Sequence, residues 1–102
     1  MVTGGRGGSR IITIVLEAVM NVIDYGLDPQ AAVNAPRIHH QWLPDSLVME
    51  QGFSPDTVAL LESRGHQVRK VGAIGEVAAI AARDGWLEGA ADPRTEGTAK
   101  GY

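Results

Sequence analysis

Between Ile11 and Ile23, apolar residues recur on nearly every side of a helical wheel. Ile12, Leu16, Val19, Met20 and Ile23 form one stripe at helical spacing, and Ile11, Val15, Ala18 and Val22 form an adjoining one. Only Glu17, Asn21 and Asp24 are clearly polar in this span. A helix apolar around most of its circumference needs cover on more than one side. Ser9 stands where an N-cap hydroxyl would accept from the first turn, and Gly26 where a C-terminal cap would turn the chain. The pattern predicts a helix between them, preceded by a flexible lead-in loop, Gly4-Gly5-Arg6-Gly7-Gly8.

The remaining pattern alternates helix and strand. Asp28-Pro29 supplies a cap and a first-turn proline for a short helix through about Asn34, which Pro36 stops. His39 to Pro44 reads as an irregular but packed connection, and Leu47 to Glu50 as a short strand. Ser54-Pro55-Asp56 repeats the cap-plus-proline signature and opens a helix running to Gly65. Gln67 to Val71 alternates polar and apolar residues, as a half-buried strand does. Val77 to Ala82 and Trp86 to Ala90 flank Arg83-Asp84-Gly85, the signature of a β-hairpin. The tail from Thr95 to Lys100 is polar and expected to be loose. The order helix, helix, strand, helix, strand, hairpin predicts an α+β fold. No internal repeat or linker interrupts it, so residues 1–102 are expected to form a single domain or part of one.

Composition makes the core thin. Of 102 residues, 13 are glycine and only one is phenylalanine, so marginal stability alone, or dependence on a partner, is expected. Nine basic against twelve acidic residues give a net charge of −3, which argues against nucleic-acid binding. The longest basic run is the pair Arg69-Lys70, so no polybasic membrane patch is present. The unbroken apolar run Ile11 to Leu16 is too short for a signal-peptide core or a membrane span. A soluble chain carrying no address of its own is expected. With no cysteine there is no thiolate metal site, disulfide or thiol nucleophile.

The glycine-rich segment is the most informative candidate for chemistry. It reads either as a simple lead-in or as a backbone cradle, since consecutive glycines let N–H groups approach a ligand at a helix start. A phosphate loop would need a Gly-Lys-Ser/Thr ending, and a dinucleotide turn would need a third glycine where Arg10 stands. An oxyanion hole made of two neighbouring backbone amides remains open. His39 and His40 are adjacent, a poor metal-ligand spacing, and read better as packing residues beside Trp42; no metal or cofactor is expected. Asp45 and Glu50 are conceivable as paired carboxylates but read better as solvated surface charges. Ser9, Ser46, Ser54 and Ser63 lack a nucleophile-elbow context. Asp92-Pro93-Arg94 reads as a turn whose arginine pairs a buried carboxylate.

Several segments carry a resemblance to a known family. Gly7-Gly8-Ser9-Arg10-Ile11-Ile12, Asn21-Val22-Ile23-Asp24-Tyr25-Gly26 and Ala35-Pro36-Arg37-Ile38-His39-His40-Gln41-Trp42-Leu43-Pro44-Asp45 are the first three. Gly52-Phe53-Ser54-Pro55-Asp56-Thr57, Leu60-Leu61-Glu62, Gly65-His66 and Gly89-Ala90-Ala91-Asp92-Pro93-Arg94 follow in order, closing at Gly101-Tyr102. Together they resemble the C-terminal part of the small subunit of γ-glutamyltransferase (γ-glutamyltranspeptidase). The resemblance implies part of the αββα sandwich of the N-terminal-nucleophile hydrolases. In that family an N-terminal threonine of the small subunit attacks the γ-glutamyl amide of glutathione, and the acyl group passes to water, an amino acid or a peptide. By motif position, Gly7 and Gly8 would supply the oxyanion-hole N–H groups. The nucleophile and the residues gripping the glutamyl moiety lie upstream in the family, and Thr3, behind Met1 and Val2, does not replace that nucleophile. Arg6 stands where the family usually carries a small residue or proline.

What the resemblance implies is a segment inactive alone, completed by the remainder of a γ-glutamyltransferase and handling a small γ-glutamyl substrate only then. Family members are often periplasmic or extracellular. The alternative is a free-standing truncated relative that self-associates as a structural or interaction module. A third option is a small-anion binder at Gly7-Gly8-Ser9.

Overall fold

The computed structural model describes residues 1–42 and 45–95. In chain order the elements are β1 (Val2–Arg6), a 3₁₀ turn (Gly8–Arg10), α1 (Ile11–Ile23), α2 (Pro29–Asn34), β2 (Ile38–His39), β3 (Leu47–Glu50), α3 (Pro55–Ser63), β4 (Val68–Val71), β5 (Glu76–Arg83) and β6 (Trp86–Ala90). They form two compact units, one of residues 1–35 together with 75 onward, the other of residues 36–74. The fold is α+β, as the sequence pattern implies.

The first unit is a three-stranded antiparallel sheet in the order β1-β5-β6, covered on one face by α1 and α2. Strand β5 alternates as a half-covered strand should: Val77, Ala79 and Ala81 are buried, whereas Ala78, Ile80 and Ala82 face outward. The buried alanines, with Ala90 of β6, leave room for the helices to sit close to the sheet. Against them lie Ile14 and Ala18 of α1 and Pro29, Ala32 and Val33 of α2. The hairpin forms around Asp84 (φ 52°) and Gly85 (φ 83°), the two positive φ angles that a type I′ turn requires.

Two expectations at the start of the chain are corrected. Gly4-Gly5-Arg6 is not a flexible loop but the end of β1, in register with β5 from Val2↔Ile80 to Arg6↔Glu76. Glycines carry no strand signal, and the partner strand lies some 75 residues away, as the Thr3 hydroxyl donating to the Ala78 carbonyl shows. Ser9 is not an N-cap either. The chain turns from β1 into α1 through Gly7 (φ 157°) and Gly8 (φ 59°), and the Gly7 and Gly8 carbonyls accept from the N–H groups of Arg10 and Ile11. Backbone bonds of the 3₁₀ turn thus replace the side-chain cap.

Helix α1 ends as expected near Gly26, which adopts φ 67° while the Leu27 N–H closes onto the Asn21 carbonyl at 2.9 Å. Its buried line does not coincide with either expected stripe: Ile14 belongs to neither, and of the second stripe only Ala18 is buried. Ile14 and Ala18 are buried, whereas Ile12, Leu16 and Ile23 are 82%, 55% and 71% exposed. Helix α2 begins as its sequence dictates, with the Asp28 carboxylate accepting from the Ala31 N–H at 2.8 Å.

The second unit is a mixed sheet in the order β2-β3-β4. Strands β3 and β4 run parallel with α3 between them in sequence, so this is a small βαβ unit. Ser54 caps α3 through its hydroxyl, 3.2 Å from the Thr57 N–H. His39, expected in an irregular connection, instead pairs antiparallel with Val48, and Ile38 before it with Met49. Two residues are too short a run to show a period of two, which is why the pattern hides them. Leu43 and Pro44 of that connection, and the expected loose tail after Thr95, lie outside the described residues. Among the described residues, no helix is long and apolar enough to cross a membrane.

The burial contrast along α1 predicts a split mutational response. Ile14→Ala is expected to lower the urea-unfolding stability of the 102-residue chain by about 2–5 kcal/mol. Ile12→Ala, on the open side of the same helix, is expected to shift it by no more than about 0.5 kcal/mol.

Candidate functional site

Gly7 and Gly8 stand at the head of the 3₁₀ turn that leads into α1. The first N–H groups of a helical segment have no intrahelical acceptor and sit at the positive end of its dipole. A planar trans peptide sets each N–H opposite the preceding carbonyl. Because the Gly7 carbonyl accepts from Arg10 inside the turn, the Gly8 N–H is directed away from it. The Arg6 carbonyl oxygen faces Gly75, only 2.6 Å from where a β-carbon on Gly75 would stand, so the Gly7 N–H is directed away from Gly75. A β-carbon on Gly8 would meet no atom within 4 Å, so its backbone is approachable. Two adjacent amides at a helix start can stabilise a developing negative charge.

The loop is shaped by contacts from below. A β-carbon on Gly75 (φ 65°) would lie 2.5 Å from Cδ1 of Ile14, and one on Gly7 would lie 3.3 Å from Cα of Gly75. A β-carbon on Gly5 would lie 2.5 Å from the Glu76 carbonyl oxygen. The sequence pattern marks Gly5 only as part of the lead-in loop, and Gly75 not at all. The available signal for Gly75 is an isolated glycine beside the apolar run from Val77, which marks close backbone approach.

Beside the loop, on the outward face of the sheet, Gly4, Gly5, Arg6, Glu76 and Ala78 line an open groove of ≈ 240 Å³. The Arg6 guanidinium donates through Nε (2.7 Å) and Nη2 to one Glu76 oxygen, and the Thr95 hydroxyl donates to the other at 2.9 Å. The Arg6 hydrogen bond, then that of Thr95, holds the Glu76 carboxyl below its ordinary pKa of 4.5; partial desolvation and the charge of Asp92 oppose them.

Asp92 and Arg94 form the buried pair expected of the Asp-Pro-Arg turn. One Asp92 oxygen accepts from the Val77 N–H at 2.8 Å, and the other accepts from the Arg94 N–H and guanidinium, both at 3.0 Å. The guanidinium also donates to the carbonyls of Val33 and Ala35, at 2.9 and 3.0 Å, and so caps the end of α2. This pair anchors the start of β5, where Gly75 and Glu76 meet the glycine loop.

The other sequence candidates are structural. Glu50 corrects the expectation of a solvated surface charge: it is buried, and its two oxygens accept from the Arg37 N–H (2.9 Å) and the Ile74 N–H (2.6 Å). Its place in β3 reads apolar-adjacent in sequence, and only the return of the chain at Ile74 supplies the second donor. Asp45 is exposed and faces His40 Nε2 at 3.2 Å, so the two carboxylates serve different partners. The buried His39 bonds Gln41 at 3.0 Å, and His40 Nδ1 accepts from the Trp42 N–H. Ser54 caps α3 and Ser63 donates to the Leu60 carbonyl. Among the described residues, no group of three or more His, Cys, Asp or Glu is placed to hold a metal ion.

All 102 residues match the Gamma-glutamyltranspeptidase family. This chain belongs to that family. It is 57% identical over 96 residues to the glutathione hydrolase proenzyme of Escherichia coli, covering 93% of this chain but 17% of that protein. The structure superimposes on the gamma-glutamyltranspeptidase of Pseudomonas nitroreducens complexed with L-DON with a TM-score of 0.90 at 33% identity, covering 99% of this chain and 54% of that one. An acivicin-inhibited gamma-glutamyltranspeptidase, reported to reveal critical roles for its C-terminus in autoprocessing and catalysis, gives a TM-score of 0.85 at 41% identity, covering 93% and 53%. The chain thus corresponds to the C-terminal region of gamma-glutamyltranspeptidases, within the N-terminal-nucleophile hydrolases, and spans a minor share of its curated relatives' length.

Glu76 also predicts a pH dependence. A carboxyl with a lowered folded-state pKa contributes stability above about pH 4.5 that fades as pH falls through the lowered value. Glu76→Gln is expected to remove this acid-side loss, read as a flatter unfolding midpoint below pH 4.5. Separately, Asp92→Ala leaves the Arg94 charge and the Val77 N–H without their acceptor and is expected to destabilise by about 3–5 kcal/mol.

Proposed function

We propose that this chain is the C-terminal segment of a gamma-glutamyltransferase and supplies the oxyanion hole of the complete enzyme through the Gly7 and Gly8 N–H groups. The reaction is transfer of the γ-glutamyl group of glutathione-like donors to water, amino acids or peptides. The observation that carries the reading is the placement of the glycine pair at the head of α1, in a chain that matches the family along its whole length. The attacking threonine belongs to the preceding part of the enzyme. Its hydroxyl adds to the γ-carbonyl carbon, and the carbonyl oxygen takes up negative charge. The Gly7 and Gly8 amides donate to that oxygen; the charge is discharged when the C–N bond breaks and the amine leaves with the hydroxyl's proton, relayed by the threonine's own α-amino group. The same donors serve again when water or an acceptor amine attacks the acyl-enzyme. Fixed backbone donors need no reorganisation at the moment of reaction, and one such donor is worth about 10²–10³ in rate.

The outward faces of the first unit fit the partner half of this reading. Ile12, Leu16 and Ile23 on α1, and Val2, Ile80 and Leu87 on the sheet, are exposed apolar side chains. As part of the αββα sandwich, they would be covered by the remainder of the enzyme. The same surfaces favour the second reading, a free-standing module that covers them by self-association.

The pure 102-residue chain is expected to release no chromophore from a γ-glutamyl anilide. A chimaera in which it replaces the matching region of the Escherichia coli relative is expected to do so. Gly8→Val in that chimaera is expected to lower kcat about 10²-fold with KM nearly unchanged. Turnover by the isolated chain, or an undamaged Gly8→Val chimaera, would overturn the proposal. A discrete, inactive dimer in light scattering, with an inactive chimaera, would favour the module.

A further inference from the structure

Arg6 and Glu76 face each other at the last pair of the β1–β5 ladder. Directly beyond that pair, the chain leaves β1 into Gly7, and on the other strand it arrives from Gly75. These two glycines touch, with a β-carbon on Gly7 placed 3.3 Å from Cα of Gly75. The final rung of the ladder is therefore the hinge from which the Gly7-Gly8 loop projects. Ladder ends fray unless something holds them, and fraying here would move both amides.

Three groups hold this rung from the outward side of the sheet. The Arg6 guanidinium grips one Glu76 oxygen with two donors, and the Thr95 hydroxyl occupies the other oxygen. Thr95 is itself tied to Asp92, since its N–H donates to the Asp92 carbonyl at 3.2 Å. The network thus runs from β1, through β5, to the turn that follows β6. The Arg6 side chain is 81% exposed, and exposed ion pairs contribute little to global stability. Local geometry is a different quantity, because the pair links two positions that directly flank the loop.

We infer that the Arg6–Glu76 pair, backed by Thr95, is a positioning clamp that holds the Gly7 and Gly8 amides in register for charge stabilisation. The inference rests on the oxyanion reading above. Neither side chain touches the reacting atoms; both act through the backbone of the loop.

The test uses the chimaera with the Escherichia coli relative and a γ-glutamyl anilide. Arg6→Glu and Glu76→Arg, each placing like charges on one rung, are expected to lower kcat about fivefold with KM nearly unchanged. The double variant Arg6→Glu/Glu76→Arg restores opposite charges and is expected to recover most of the loss. A structural role elsewhere would not produce this kcat-only loss with rescue by exchange. Single variants that keep full kcat while Gly8→Val is damaged overturn the clamp and leave the oxyanion reading standing. A harmless Gly8→Val overturns both. Where the chimaeric variants fail to accumulate, nitrogen-15 relaxation of the full 102-residue chain decides. Arg6→Glu is expected to drop the Gly7 and Gly8 order parameters from about 0.85 toward about 0.6. Unchanged order parameters overturn the clamp.

Discussion

One methyl group, Cδ1 of Ile14, lies where β-carbons on Gly5, Gly7 and Gly75 would touch or strike it. The fully buried isoleucine therefore needs Gly75 without a side chain, while the Glu76 carbonyl oxygen crowds Gly5 and the Cα of Gly75 crowds Gly7. The three glycines lie at the end of β1, in the loop into α1 and on the approach to β5. Close packing of this kind transmits position, because neither a methyl group nor a backbone compresses. The helix, the sheet and the glycine pair thus meet around one apolar side chain and the close backbone contacts of Gly5, Gly7 and Gly75.

Charge supplements this contact at two depths. Asp92 and Arg94 are inside, each satisfied by several backbone groups as well as by the other, so they fix where β5 begins and where α2 ends. Arg6 and Glu76 lie on the outward face, Arg6 largely wet and Glu76 half-buried. The inner pair specifies the fold, since breaking it strands a buried charge. The outer pair has little stability to give, which leaves local geometry as its contribution. Glu50 in the second unit follows the inner pattern, holding two backbone amides from different parts of the chain.

The hairpin, α2, α3 and the β3 and β4 strands were legible because their signals are local: cap-plus-proline pairs, an Asp-Gly turn and alternation. The Asp-Pro-Arg turn was legible because a buried carboxylate needs a cation. Strand β1 was not, for glycines announce nothing about pairing and the partner is supplied from far along the sequence. The burial of Glu50 was hidden for the same reason. Of the site, Gly7 and Gly8 could be named from the motif, whereas Gly75 and Ile14 matter only once three segments have met. Helix α1 is apolar on more than one side, and within this chain Ile12 and Leu16 stay exposed.

The first unit is assembled from both ends of the sequence, with the second unit carried between them as an insertion. During synthesis, β1 and α1 leave the ribosome long before β5 is made. Until then β1 lacks β5, and Ile14 has no Gly75 to close over it. Such long-range pairing is slow to form, since loop closure must precede any reward from contacts. The middle segment, whose strands and helix are neighbours in sequence, has no such wait. The contacts of Gly75 with Gly7 and Ile14 accordingly form only after the whole middle segment has been made.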